Sequence, residues 1–336
     1  MYQPVGQNVK TCVDLFRTEK QIAGEKTMKR HLVVTAVLSL TLFFSAARVR
    51  AQENGTPVHM VVSVEARHAN NTPNIGRDDV MVYEGHERDQ VMDWVPAQGD
   101  HAGLDLFILL DDSSNISLGS QLEDIRQFIL AQPASTQVGV AYMQNGIAKV
   151  VQNLTTDHAQ AGKALRLPLG IRGINASPYF SLSDLAKKWP ISSNRREIVM
   201  VSDGIDLYYG SNDLLDPYLS QAIDDLQKAG ILVYAIYSPG VGHFGHSYWT
   251  SYWGQLYLAR VAEETGGESY YIGMFGAPVS FVPYLDDVSH HLGNQYLLSF
   301  LPKPEKKAGF RSIRLMTEVP NAELVSADRV FVPANE

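Results

Sequence analysis

The stretch from Leu104 to Asn115, LDLFILLDDSSN, decides the fold class. Its first part is an almost uninterrupted apolar run, which is typical of a strand buried on both faces of a parallel sheet. The run stops at Asp111, and short polar residues follow it. Glu197–Gly204, EIVMVSDG, has the same pattern of an apolar strand that ends in a carboxylate and a glycine. The sequence therefore predicts two buried strands with polar side chains at their carboxyl ends.

Apolar strands alternate with amphipathic segments over the middle of the chain. Further strands are predicted at Val138–Met143, Ile147–Val151, Ile231–Tyr237 and Ser269–Ile272. Helices are predicted at Gly119–Leu130, His158–Leu165, Pro178–Lys188, Leu214–Lys228, Gln255–Glu264 and Val282–Leu292. Because such alternation is typical of crossover connections, we expect an α/β fold with a doubly wound, mainly parallel sheet and helices on both faces.

Segments with β character flank this region on both sides. They are Val58–Ala66, Asp79–Glu84 and Gln90–Val95 before it, and Gln295–Leu301, Phe310–Thr317 and Arg329–Val332 after it. Since the two ends of a domain are often close, we expect the flanks to pack together as a small β module. The predicted organisation is a leader at 1–51, a β-rich preamble at 52–100, a domain at 104–293 and a C-terminal β segment at 294–336.

Residues 1–51 have the pattern of an export signal. Met28-Lys29-Arg30 is basic, Leu32–Ala47 is apolar, and Val49-Arg50-Ala51 precedes Gln52 as a cleavage site. This pattern predicts a signal peptide that starts at Met28 and a mature protein that is periplasmic or secreted. An uncleaved membrane anchor is the alternative, although the apolar run is shorter than a typical membrane span.

Charge and cysteine content exclude several classes of protein. The chain of 336 residues has a formal net charge of −8. A negative body repels phosphate backbones, so nucleic acid is not an expected partner. Cys12 is the sole cysteine and precedes the predicted cleavage site. A mature chain without cysteine has neither disulfides nor thiolate zinc sites.

Polar residues at the predicted strand ends offer a set of oxygen ligands. In an open α/β sheet, ligands bind outside the carboxyl ends of the strands, where the strand order reverses. Asp111, Ser113 and Asn115 follow one strand, Asp203 follows another, and Ser177 opens a helix after a loop that could reach them. Carboxylate and hydroxyl oxygens suit Mg²⁺, Mn²⁺ or Ca²⁺ rather than zinc. The alternative is that these residues are ordinary turn and helix-capping residues.

These motifs resemble the three metal-site motifs of von Willebrand factor type A domains, namely D-x-S-x-S, T-P or S-P, and S/T-D-G. Asp111-x-Ser113-x-Asn115 matches the first except at its last position, Ser177-Pro178 matches the second, and Asp203-Gly204 matches the third. The stretches RDDVMVYEGHERDQVMDWV, AEETGGESYY and NQYLLSFLPKP are similar to the exported VWFA-related family known chiefly from acidobacteria.

The resemblance spans residues 58–333 by motif order. It implies the type A fold, which is Rossmann-like, and a metal-ion-dependent adhesion site (MIDAS) for Mg²⁺, Mn²⁺ or Ca²⁺. Asn115 stands where the family has a hydroxyl. Its longer side chain changes where an ion would sit.

Aromatic residues gather in Ser238–Trp253, SPGVGHFGHSYWTSYW, which we predict to be a loop after a parallel strand. Such a loop would emerge at the same sheet edge as the metal site, and aromatic side chains are enriched in binding hot spots. The predicted ligand-binding rim comprises Tyr208, Tyr209, His243, His246, Tyr248, Trp249 and Trp253, with Tyr252 beside them. The alternative is a loop folded onto its own domain, with its rings partly buried.

The function predicted from these features is binding rather than catalysis. The sequence has neither a GxSxG nucleophile motif nor an HExxH zinc motif. We expect an exported, adhesion-type module whose divalent ion captures an acidic group of a protein ligand. The alternative is a metal-independent structural or assembly component of an envelope complex with an empty metal site, which Asn115 favours.

Overall fold

The computed structural model describes residues 56–67, 72–173, 175–210, 213, 215–241, 247–271, 278–304 and 307–334. The predicted leader, Cys12, His243 and His246 lie outside these residues. Within the described ranges the chain forms one mixed and one antiparallel β-sheet. Of the described helices, none has the length and apolar character required to cross a membrane.

The mixed sheet is built around strand β4, Leu104–Asp111, in which all eight residues are buried. Among the described residues its strand order is β6–β5–β4–β7–β8–β9. The other strands are β5 at Thr136–Gln144, β6 at Ile147–Thr155, β7 at Arg195–Ser202, β8 at Ile231–Tyr237 and β9 at Ser269–Tyr270. Strand β6 is antiparallel to β5, and the other neighbouring strands pair in parallel. The strand order changes direction between β4 and β7, which is the position where ligands bind in open α/β sheets.

Helices cover both faces of this sheet because successive side chains of β4 point in opposite directions. The helices are α1 at Leu122–Leu130, α2 at His158–Lys163, α3 at Pro178–Lys187, α4 at Pro217–Ala229, α5 at Tyr248–Thr265 and α6 at Val282–Gly293. Phe107 and Leu109 pack with residues of α3, α4 and α5. Leu106 and Ile108 pack with residues of α1, α2 and α6. Burial on both faces explains the apolar run in the sequence, and the chain has the predicted α/β fold.

Three predicted helix starts were wrong: α1 begins at Leu122 rather than Gly119, and in the other two cases a capping residue sets the true start. Helix α5 begins at Tyr248, because the hydroxyl of Ser247 accepts a hydrogen bond from the amide of Thr250 at 3.2 Å. The segment from Tyr248 to Trp253 is therefore helical, not part of a loop. Helix α4 begins at Pro217, where the carboxylate of Asp216 caps the first turn.

The antiparallel sheet combines strands from both ends of the described chain. Its order is β12–β1–β10–β3–β2–β11–β13 among the described residues. These strands are β1 at Val58–Ala66, β2 at Val80–Glu84, β3 at Glu87–Pro96, β10 at Gln295–Leu301, β11 at Gly309–Thr317, β12 at Ala322–Val325 and β13 at Arg329–Val332. Strand β10 lies between β1 and β3, and Tyr296 of β10 stacks on Trp94 of β3 with ring centroids 4.5 Å apart. Strand β12 has no counterpart among the predicted strands.

His291 links the antiparallel sheet to the helical layer. It lies on α6, with its Nδ1 atom 3.2 Å from Glu65 of β1 and its Nε2 atom 3.4 Å from Asp287 of α6. Burial of the imidazole lowers its pKa, but the hydrogen bond that the ring donates to Glu65 and the charges of Glu65, Asp287 and Glu268 outweigh this effect. The pKa of His291 is therefore raised in the folded protein.

We predict that His291 stabilises the protein more at acidic than at alkaline pH. Because its pKa is raised on folding, this stabilisation is complete below the ordinary histidine value and is lost as pH rises through the folded value. Thermal unfolding of the wild type and of His291→Gln should differ more at about pH 6 than at about pH 9. The exposed neighbour His290 provides the control, and an equal pH dependence for His290→Gln would contradict the prediction.

Candidate functional site

The predicted polar residues meet at the carboxyl edge of β4 and β7. Asp111 ends β4, and Asp203 follows Ser202 at the end of β7. These two strands pair in parallel, with Leu110 opposite Val201. The two carboxylates are therefore brought together at the place where the strand order reverses.

Asp111 is buried and fully engaged in hydrogen bonds. Its Oδ1 atom accepts from the amide of Ser113 at 2.9 Å and from the hydroxyl of Ser113 at 2.6 Å. Its Oδ2 atom accepts from the hydroxyl of Ser202 at 2.8 Å. Burial raises the pKa of Asp111 and the nearby charge of Asp203 raises it further, while the hydrogen bonds only partly offset this rise. The carboxylate is thus in a place where an added positive charge would be favourable.

Asp203 is equally buried and forms an ion pair that the sequence analysis did not anticipate. Its Oδ1 atom accepts from the amide of Ile205 at 3.0 Å, and its Oδ2 atom pairs with the Nη2 group of Arg172. Burial raises the pKa of Asp203, and the charge of Arg172 opposes but does not cancel that rise. Arg172 lies between Ile171 and Gly173 in an irregular stretch shortly before Ser177. A positive charge between these uncharged residues is the sequence signal that could have identified it.

A small cavity lies beside these groups. Its volume is about 20 Å³, which is room for one water molecule or one ion. Its polar lining includes Asp111, Ser113, Arg172 and Ser177. Asp203 is not among the described residues that line it, and the guanidinium of Arg172 lies against the outer oxygen of Asp203.

Ser177 caps helix α3 and also reaches a third carboxylate. Its hydroxyl accepts from the amide of Phe180 at 3.4 Å and donates to Asp206 Oδ2 at 2.9 Å. Asp206 is buried, and its other oxygen accepts from the amides of Tyr208 and Tyr209 at 2.8 and 3.1 Å. The sequence analysis missed Asp206, although its position three residues after Asp203 places it in the same turn.

Asn115 and Asp112 serve local structure. The Asn115 side chain accepts from the amide of Ser117 at 2.9 Å and caps a short 3₁₀ helix at Ile116–Ser120. This is the capping role that the sequence left open as the alternative. Asp112 binds both terminal nitrogens of Arg166, at 2.7 and 2.8 Å. Burial raises the pKa of Asp112, but its hydrogen bonds outweigh burial and the net shift is downward.

The donor set fits a hard divalent cation. Asp111 and Asp203 are both buried carboxylates, and of the two only Asp203 is paired with the guanidinium of Arg172, which leaves an excess of negative charge beside a cavity of one-ion size. Within the described residues there is no cluster of three or more Asp, Glu, His or Cys side chains that could hold a metal. An ion here would therefore use the hydroxyls of Ser113 and Ser177, with water or a ligand oxygen completing its coordination.

Exposed aromatic side chains lie in the turn after Asp203 and in the first turns of α5. We call Tyr208, Tyr209, Tyr248, Trp249 and Tyr252 the aromatic rim, since all five are exposed and Trp249 is the most exposed, at 65%. A side chain at Gly204 would meet the carbonyl of Gly254, so the first turns of α5 pack directly on this turn. Edge-to-face contacts join Tyr248 to Trp249 and Trp249 to Tyr252.

Trp253 differs from the other predicted rim residues. Its ring lies against Tyr257, with centroids 6.2 Å apart, and packs on the hydrophobic core. Trp253 is partly buried, whereas Trp249, one helical turn before it, and Tyr252 are exposed.

Comparison with known proteins gives matches at the level of solved structures. No protein-family model and no curated protein matches the sequence. An aerotolerance-related membrane protein from Bacteroides fragilis is similar over 56% of this chain and 98% of its own, with 14% identity and a TM-score of 0.38. BatB from Bacteroides thetaiotaomicron is similar over 56% and 97%, with 13% identity and a TM-score of 0.38.

The ArnB paralog VWA2 from Sulfolobus acidocaldarius is similar over 82% of this chain and 76% of its own, with 10% identity and a TM-score of 0.36. Since all three TM-scores are low, the fold and the site are assigned from the geometry of the chain itself.

We predict that Gly240→Ala disrupts the site from the neighbouring loop. A Cβ atom at position 240 would overlap both Arg172 Nη2 and Asp203 Oδ2. The expected loss of stability is about 1–3 kcal/mol, as for other overpacked positions, and urea unfolding would measure it.

Gly309→Ala is the matched control, because a Cβ atom there meets nothing within 4 Å. Its effect should stay within about 0.5 kcal/mol. Equal stability of the two variants would show that the space around Gly240 is not restrictive.

Proposed function

We propose that the chain is an exported protein-interaction module of the von Willebrand factor type A kind, with a doubly wound sheet. In this proposal Asp111, Ser113, Ser177 and Asp203 hold a divalent ion, Mg²⁺ by preference, and the ion captures an acidic group of a protein partner. The observation that carries the proposal is the one-ion cavity lined by Asp111, Ser113 and Ser177 at the reversal of strand order.

The charge of the site supports an acidic ligand. With Asp111 and Asp203 ionised, the two carboxylates and Arg172 sum to one negative charge, which repels a carboxylate. A bound divalent ion would reverse the sign and leave a coordination position for an incoming oxygen. Metal and ligand would thus bind together, and the affinity of the site for an acidic group would be low when the metal is removed.

The aromatic rim would supply contact area around this central charge. Its rings lie in the turn after Asp203 and in the first turns of α5, which pack against that turn. Tyrosine and tryptophan side chains are enriched among the hot spots of protein interfaces. We propose a binding role because exposed aromatic side chains of this kind are typical of protein interfaces.

The second candidate function is metal-independent assembly within an envelope complex. The observation that favours it is the engagement of predicted ligands elsewhere, since Asn115 caps a helix and Arg172 pairs with Asp203. In that case the aromatic rim or the antiparallel sheet would carry the interaction, and a complex would survive chelation.

Acidic peptides should bind in a metal-dependent way. A random peptide library would be panned on the immobilised full chain with millimolar Mg²⁺, and the enriched peptides would be resynthesised with Asp→Asn or Glu→Gln changes. We expect binding to require the peptide carboxylate, to be lost in EDTA, and to be lost in Asp111→Ala.

Asp78→Ala is the control. It removes a carboxylate whose side chain is 94% exposed and which lies just before strand β2 of the antiparallel sheet, so this variant should bind the peptides as the wild type does. Peptide binding that persists in EDTA and in Asp111→Ala would instead support the metal-independent alternative.

Trp249→Ala should weaken binding of the selected peptides by about tenfold or more without changing the melting temperature, because hot-spot aromatics typically contribute this much and Trp249 is largely exposed. Ile191→Ala removes another exposed apolar side chain, located before β7 at the opposite edge of the sheet. It should leave binding unchanged. Equal binding by all three proteins would exclude the aromatic rim from the interface.

A further inference from the structure

Arg172 occupies a position in which it must interact with any ion at the site. Its Nη2 group pairs with the Oδ2 atom of Asp203, while the Oδ1 atom of that carboxylate is held by the amide of Ile205 at 3.0 Å. The guanidinium also borders the cavity that Asp111 and Ser113 line. Arg172 is therefore the group that stands between the cavity and the second carboxylate.

The arginine is held less completely than its neighbour Arg166. Arg166 places two nitrogens on Asp112 and donates to the carbonyl of Leu167 as well. By contrast, the buried Nε atom of Arg172 has no hydrogen-bond partner within the described part of the chain. Because one buried donor is already unsatisfied, moving the Arg172 guanidinium away from Asp203 breaks fewer interactions than moving that of Arg166.

The stretch that carries Arg172 is irregular but fixed on both sides. Before it, the amides of Leu169 and Gly170 donate to Asp112, each at 2.9 Å. After it, the amide of Asn175 donates to the side chain of Asn145 at 2.8 Å. The backbone thus keeps Arg172 near the site, and a change of its side-chain rotamer is enough to expose or cover Asp203.

We propose that Arg172 is a tethered cation that competes with the divalent ion for Asp203 and so sets the metal affinity of the site. The inference rests on the proposed function, since it concerns the same ion. A guanidinium and a divalent cation repel each other, and they cannot share one carboxylate oxygen at contact distance. Metal binding therefore requires Arg172 to leave Asp203, and the arginine keeps the site closed to metal when the ion is scarce.

Calorimetric titration with Mg²⁺ and Mn²⁺ tests this directly, with no partner protein needed. The full-length wild type would be compared with Arg172→Gln, which removes the charge and keeps a polar side chain. We expect Arg172→Gln to bind both ions about tenfold or more tightly than the wild type, which is the effect of removing one charge-assisted contact that competes with them.

Arg166→Gln is the matched control, because it removes the same charge from the neighbouring carboxylate Asp112. A gain of equal size in this variant would show a long-range charge effect and would overturn the proposal. Equal or weaker metal binding by Arg172→Gln would also overturn it and would leave the proposed function intact. If no variant binds either ion, both the competition and the metal site of the proposed function are wrong.

Circular dichroism would establish that each variant is folded before titration. If Arg172→Gln does not fold, Arg172→Met takes its place, because it also removes the positive charge and keeps an unbranched side chain. It should bind Mn²⁺ more tightly than the wild type, and unchanged affinity in this variant would count against the proposal.

Discussion

Strand β4 can be stable only if both of its faces are covered, and the rest of the architecture follows from this constraint. Its side chains alternate between two helical layers, one formed by α3, α4 and α5 and the other by α1, α2 and α6. In the described sheet, β5 and β6 lie on one side of β4, and β7, β8 and β9 lie on the other. The carboxyl ends of β4 and β7 are left open at the divide, and Asp111 and Asp203 lie there.

The same burial makes the site energetically costly. Loss of water raises the pKa of both Asp111 and Asp203, and the charge of Asp203 raises the pKa of Asp111 further. The protein offsets part of this cost with serine hydroxyls, backbone amides and Arg172. Asp112 next to them is balanced far better by Arg166, and its pKa is lowered. The two adjacent residues therefore have different roles. Asp112 anchors a loop, whereas the negative charge of Asp111 is not fully balanced by a nearby positive charge.

The sequence was informative where structure depends on local pattern. Apolar runs identified β4 and β7, and the residues directly after them identified Asp111 and Asp203, because a strand end and its turn are adjacent in the chain. The start of α5 was missed because its first turns are aromatic and polar, without a clear apolar stripe, and because a single capping serine, Ser247, sets the boundary. Arg172 was missed for a different reason. Its partner lies 31 positions away, across an irregular segment that has no period to follow.

The antiparallel sheet also bears on how the chain acquires its structure during synthesis. Strand β10 is inserted between β1 and β3, so Val62 is hydrogen-bonded beside Tyr296, which is made much later. Strands β1 and β3 are therefore synthesised early but cannot pair with β10, which lies between them, until most of the chain has been made. Such distant pairing closes a long loop and slows folding. A polypeptide with this topology therefore completes its antiparallel sheet only after its last strands have been made.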